Sequence, residues 1–89
     1  MDRLEREKQF LRNRKQAYES TFAGGNAVDE VMRDLRAFCR ADVSCFDPDP
    51  RVHAVFEGRR EVWLRIRQHL DLSFDELFDE LTGGNSNVV

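Results

Sequence analysis

Long apolar runs are missing from this chain, and without about 18 such residues in a row no transmembrane helix is expected. The opening MDRLEREKQF has no apolar core of its own, so no signal peptide is expected either. Cysteine is scarce. Cys39 and Cys45 stand alone, and their spacing lacks the CxxC-type pairs and four ligands that zinc requires, so no metal site is expected. A disulfide stays open on spacing alone, but the favoured reading is two reduced, buried thiols behaving as small hydrophobes. Histidine is equally sparse. His53 and His69 would stand about 24 Å apart on one helix, too far to share a proton-transfer task, and both are read as surface residues. Cys45 with an outside base is imaginable, but nothing in the sequence argues for an activated thiol among Asp42, Asp47 and Asp49, so no nucleophile is assigned. Catalytic residues, metal ligands and a cofactor are therefore not expected, and the chain is not read as an enzyme.

Eighty-nine residues make a single small domain with one modest core. The net charge of −3 argues against a general nucleic-acid binder, and weak or no binding to double-stranded DNA is expected. That total hides a segregation. Residues 1–25 carry six basic and four acidic groups, residues 51–70 five and two, whereas 41–50 hold three acids and 71–89 hold five, with no base in either.

Glycine and proline are absent from Asp2 to Phe22, which predicts an uninterrupted helix over about 2–22. Its stripe of Leu4, Leu11, Tyr18 and Phe22 is thin, with Glu7, Arg14 and Lys15 on or beside it, so the first two turns are expected to project. Gly24 and Gly25 end it. Asn26 is read as an N-cap, and Val28, Val31, Met32, Leu35, Phe38 and Cys39 predict a second, strongly amphipathic helix over about 27–40. The only prolines, Pro48 and Pro50, lie in the connector ADVSCFDPDP, where Asp49 reads as N-cap and Pro50 as first residue of a helix over 50–70. A fourth helix, 74–82, follows a Ser73/Glu76 capping box and a Leu72/Leu77 staple. The expected fold is all-α, a small bundle of about four helices in one domain over 1–82, with 83–89 a disordered tail. Val31, Leu35 and Phe38 of the second helix are expected to be buried against Phe56, Trp63 and Ile66 of the third.

On the third helix Val52, Val55, Phe56, Val62, Trp63, Ile66 and Leu70 form one apolar stripe with Arg59 at its centre. A desolvated arginine needs a partner. Asp47 is within reach if the connector folds back; otherwise Arg59 snorkels, bonds carbonyls at the end of the second helix, or faces a partner. Asp47, Asp49, Pro50, Arg59 and Trp63 are thus read as structural. The opposite sector, His53, Arg60, Leu64 and Arg67, is expected to be exposed and is the candidate partner-binding face, because arginine is enriched at interface centres. Gly58 inside this helix costs about 1 kcal/mol against alanine and suggests close approach by another element or subunit.

The stretch FCRADVSCFDPDPRVHAVFEGRREVWLRIRQHLDLSFDEL, with its FDPDPR turn, EGRR-V-LRI helix and L-LS--EL ending, resembles a family of small proteins of tailed bacteriophages, typically short-tailed, encoded among portal, capsid and other virion genes. The resemblance covers about residues 17–81 and implies a phage setting and no chemistry. The resulting expectation is a non-enzymatic, virion- or assembly-associated helical module that docks on portal, capsid or ejection proteins, in the virion or the host cytoplasm, with self-association open. The alternative is an early host-directed binder that inhibits a host nucleic-acid enzyme through its acidic end. A third reading, direct nucleic-acid binding through Arg60, Arg67 and the Lys8–Lys15 region, is disfavoured by the acidic total.

Overall fold

The computed structural model describes residues 2–83, and among them the chain is all α: α1 (Arg3–Thr21), α2 (Asn26–Phe38), α3 (Pro50–Asp71) and α4 (Phe74–Thr82), with no strand. Beyond Gly83 the expected disordered tail lies outside the described residues. The helix limits follow from local chemistry. The Asp2 carboxylate accepts from the Glu5 N–H at the start of α1. Gly24 and Gly25 take φ of 108° and 117°, a region that side chains disfavour. Gly25, not Asn26, occupies the N-cap of α2, so the helix begins one residue before its expected start and carries no side-chain cap bond. Asp49 accepts from the Arg51 N–H at 2.8 Å, with Pro50 as first residue of α3. Ser73 and Glu76 form the capping box of α4.

Two compact units make up the chain, residues up to Phe22 together with those from Gln68 onward, and residues Ala23–Arg67. In the first unit Leu11 of α1 packs with Leu77 and Leu81 of α4, and Leu72, Phe74 and Phe78 close around them. The thin stripe of α1 suffices because its cations pack as well. Lys8 lies over the Phe78 ring at 5.4 Å and Arg12 over the Phe74 ring at 4.4 Å, so aliphatic stems cover α4 while the charges meet aromatic faces. Leu4 remains 51% exposed, so the first turn has little to bury.

His69 overturns its reading as a surface residue: it is fully buried in this unit. Its ring stacks on Tyr18 at 4.1 Å, Arg14 Nε donates to its Nε2 at 3.1 Å, and Lys15 Nζ donates to its carbonyl at 2.8 Å. Arg14 and Lys15, polar intrusions on the α1 wheel, are thus held by the end of α3.

The second unit corrects the expected core pair. Among the described residues α2 buries none of its side chains; Val31 is 53% and Phe38 55% exposed, and Leu35 is half-buried. On α3 Ile66 is buried while Phe56 and Trp63 are only half-buried. The cause sits at the stripe centre. The Arg59 guanidinium lies over Phe38 at 4.3 Å and 5.9 Å from Phe56, so a cation stands where the two apolar faces would otherwise meet.

Candidate partner-binding surface

The connector between α2 and α3 is the most heavily tied irregular segment of the second unit. It begins with a Schellman turn: the Ala41 N–H bonds the Arg36 carbonyl and the Arg40 N–H bonds that of Ala37. The left-handed residue of such a turn is usually glycine, yet here it is Arg40, with φ of 55°. Its side chain is held twice. Nε and Nη2 donate to the Ser44 carbonyl at 3.2 and 2.8 Å, and the guanidinium lies over Phe56 at 4.2 Å.

Arg60 fastens the same turn from α3. Its Nη2 donates to the carbonyls of Arg40, Ala41 and Val43 at 2.7, 3.2 and 2.6 Å. A fixed cation on three oxygens just beyond the C-terminus of α2 satisfies groups that the helix cannot and complements its dipole. Bonding to carbonyls near the end of α2, considered above for Arg59, is thus made by Arg60. Further along, the carbonyl of Cys45 accepts from His53 Nδ1 at 3.0 Å, which places the ring proton on that nitrogen, and the Cys45 thiol donates to the Phe56 carbonyl at 3.6 Å. Cys39 and Cys45 are both buried free thiols. Arg36 binds Asp42 through two hydrogen bonds, 2.6 and 2.9 Å, which hold that carboxyl below its usual range. This tie is present at neutral pH and is lost only as acid titrates Asp42 through its lowered pKa.

The four residues expected to face a partner do not form an open sector. His53 and Arg60 are half-buried and hold the connector, Arg67 is half-buried with its guanidinium 5.9 Å from Trp63, and Leu64, 49% exposed, points outward. The helical wheel placed these residues correctly on one side. It could not show that the connector returns along that side. Of the residues read as structural, Asp47 accepts from the Asp49 N–H at 2.9 Å, an Asx turn that sets up the α3 cap, while Trp63 and Arg59 lie as described.

What this framework leaves uncovered is apolar. Among the described residues, seven of the nine exposed large hydrophobic ones lie in Ala23–Arg67: Val31, Phe38, Val43, Phe46, Val55, Val62 and Leu64. Phe46 is the most exposed at 70%, and it is held on both sides. Its N–H bonds the Ser44 hydroxyl at 3.1 Å, the two preceding carbonyls are tied by Arg40 and His53, and its ring meets His53 edge-on at 6.0 Å. Nothing in the sequence singled out Phe46 except its place in the FDPDPR turn. Among the described residues no group of three or more His, Cys, Asp or Glu is arranged to hold a metal ion, and no helix is long and apolar enough to cross a membrane.

No curated protein and no solved structure matches the chain. One family model does, over residues 18–82, which takes in α2, the clamped connector, α3 and α4. With most of its length inside that match, the chain belongs to the family of Bbp19-like phage proteins.

Proposed function

We propose that this phage protein is a non-enzymatic interaction module of the virion or its assembly, docking on portal, capsid or ejection proteins in the particle or the host cytoplasm. The observation that carries the reading is Phe46: a large aromatic side chain, 70% exposed, on a loop fixed by Arg40, Arg60 and His53. Exposed aromatic anchors on rigid supports are the residues that dominate binding energy at interfaces. Membership of a phage family supplies the setting. The test combines mass spectrometry of purified particles and procapsids with capture of phage structural proteins on the immobilised chain. The protein is expected in at least one particle form, and Phe46→Ala is expected to abolish capture while leaving the melting temperature unchanged. Absence from both particle forms, or undiminished capture by Phe46→Ala, contradicts this reading.

A second reading, inhibition of a host nucleic-acid enzyme, is favoured by the exposed acids Asp75, Glu76, Asp79 and Glu80 on α4. Recovery of one such enzyme in stoichiometric amount from host lysate, with no protein in particles, would replace the first reading by this one. Direct DNA binding has less support, because Lys8 and Arg12 lie over aromatic rings and Arg60 is held by carbonyls. No measurable affinity for double-stranded DNA is expected at physiological salt; submicromolar binding that falls steeply with salt would reverse that expectation.

A further inference from the structure

We infer that α2 is a releasable arm: it detaches from α3 and unwinds as one unit, then refolds, while α3 and the clamped connector stay in place. Phe46 lies on the fixed side of this hinge, so its docking role is a separate matter. Anchoring of α2 is graded along its length. The inward stripe is Val28, Met32 and Leu35, all three only half-buried, and the first buried side chain is Cys39, just past the last helical residue.

The two ends of the helix differ in the same sense. At the N-terminal end Gly24 and Gly25 hold positive φ, Gly25 offers no side chain to bond the first N–H groups, and a Cβ on either glycine would meet nothing within 4 Å. That turn runs through open space. At the C-terminal end Arg60 holds the carbonyls of Arg40, Ala41 and Val43, and Arg36 holds Asp42, which fixes the pivot. Among the described residues the one polar or aromatic contact between side chains of α2 and α3 is Arg59 over Phe38, at 4.3 Å, and it too lies at the pivot end. The approach of α2 to α3 is also less extensive than that of α1 to α4. A helix of 13 residues is too short to persist on its own propensity, so α2 unwinds whenever it leaves α3. Segments with few buried apolar contacts open cooperatively at a lower cost than the whole domain. Arg59 is the latch on this one.

Hydrogen–deuterium exchange of the full chain, read residue by residue, tests this. The amides of residues 30–38 are expected to exchange at least about tenfold faster than those of residues 55–66, at a rate that low denaturant barely changes, as for a local opening. Arg59→Ala removes the contact with Phe38 and is expected to quicken exchange of 30–38 by about two- to fivefold. Arg59→Met lays an apolar chain against the same ring and is expected to slow it about tenfold. Equal protection of the two segments overturns the inference, as does exchange of 30–38 that rises with denaturant in step with global unfolding. So does an Arg59→Met chain whose residues 30–38 exchange as fast as the parent's.

Discussion

Arg60→Ala is expected to destabilise the protein by about 2–3 kcal/mol, since a charged donor contributes more than a neutral one and this one serves three carbonyls, two of them in part-buried bonds. Chemical denaturation at neutral pH reads the effect. The three carbonyls of Arg40, Ala41 and Val43 would have to take up water in a turn whose next residues are packed on Phe56. Arg60→Lys keeps a cation on a shorter reach and should lose about half as much. Arg59→Ala is expected to cost only about 0.5–1 kcal/mol, the range of a partly exposed cation over an aromatic ring. The alternative ranking, Arg59 the costlier of the two, would mean that the stripe-centre arginine is the buried ion and Arg60 an ordinary surface group.

His69→Ala is expected to cost about 3 kcal/mol, because it empties a fully buried ring site and removes the acceptor of the Arg14 Nε–H. Thermal melts of the parent and variant decide it. His69→Gln separates the two contributions: its amide oxygen can stand near the position of Nε2, so the hydrogen bond is kept while the stack on Tyr18 is lost. An intermediate loss is expected for Gln. A loss equal to that of Ala would assign the whole effect to the ring, and a His69→Ala variant as stable as the parent would contradict the burial itself.

These residues also mark what the linear chain reveals. The Asp49–Pro50 start, the Ser73/Glu76 box and the paired glycines act over three or four residues, and each was legible because cause and effect lie within one turn. Two compensations were not local. The connector's return along α3 changes Arg60 from an outward group into a clamp, and no wheel of α3 alone contains that information. Arg59 reads from sequence as a cation in need of a partner, with Asp47 in reach only if the connector folds back, whereas the structure lays its guanidinium over Phe38 and 5.9 Å from Phe56. His69 did leave a trace. It lies one position before Leu70 and three after Ile66, at the margin of the apolar stripe, where a ring can be drawn inward if a stacking partner and donors are available. Tyr18 and Arg14, more than fifty residues earlier, supply them. At Phe46 the sequence showed a turn, whereas the exposure of the ring and the ties of the two preceding carbonyls to Arg40 and His53 are seen only in the fold.

Arg40 ends α2 in a backbone conformation that costs a side-chain-bearing residue about 1 kcal/mol more than glycine. Glycine would relieve that cost and remove the two bonds to Ser44 and the stack on Phe56, leaving the segment up to Phe46 to sample many shapes. The arginine therefore moves an entropy loss from one event to another. Ordering the loop happens once, during folding, and the partner proposed above would meet an aromatic ring whose freedom is already restricted. Complexes built on such ordered segments owe their lifetime to slow dissociation, because little conformational freedom is regained on release.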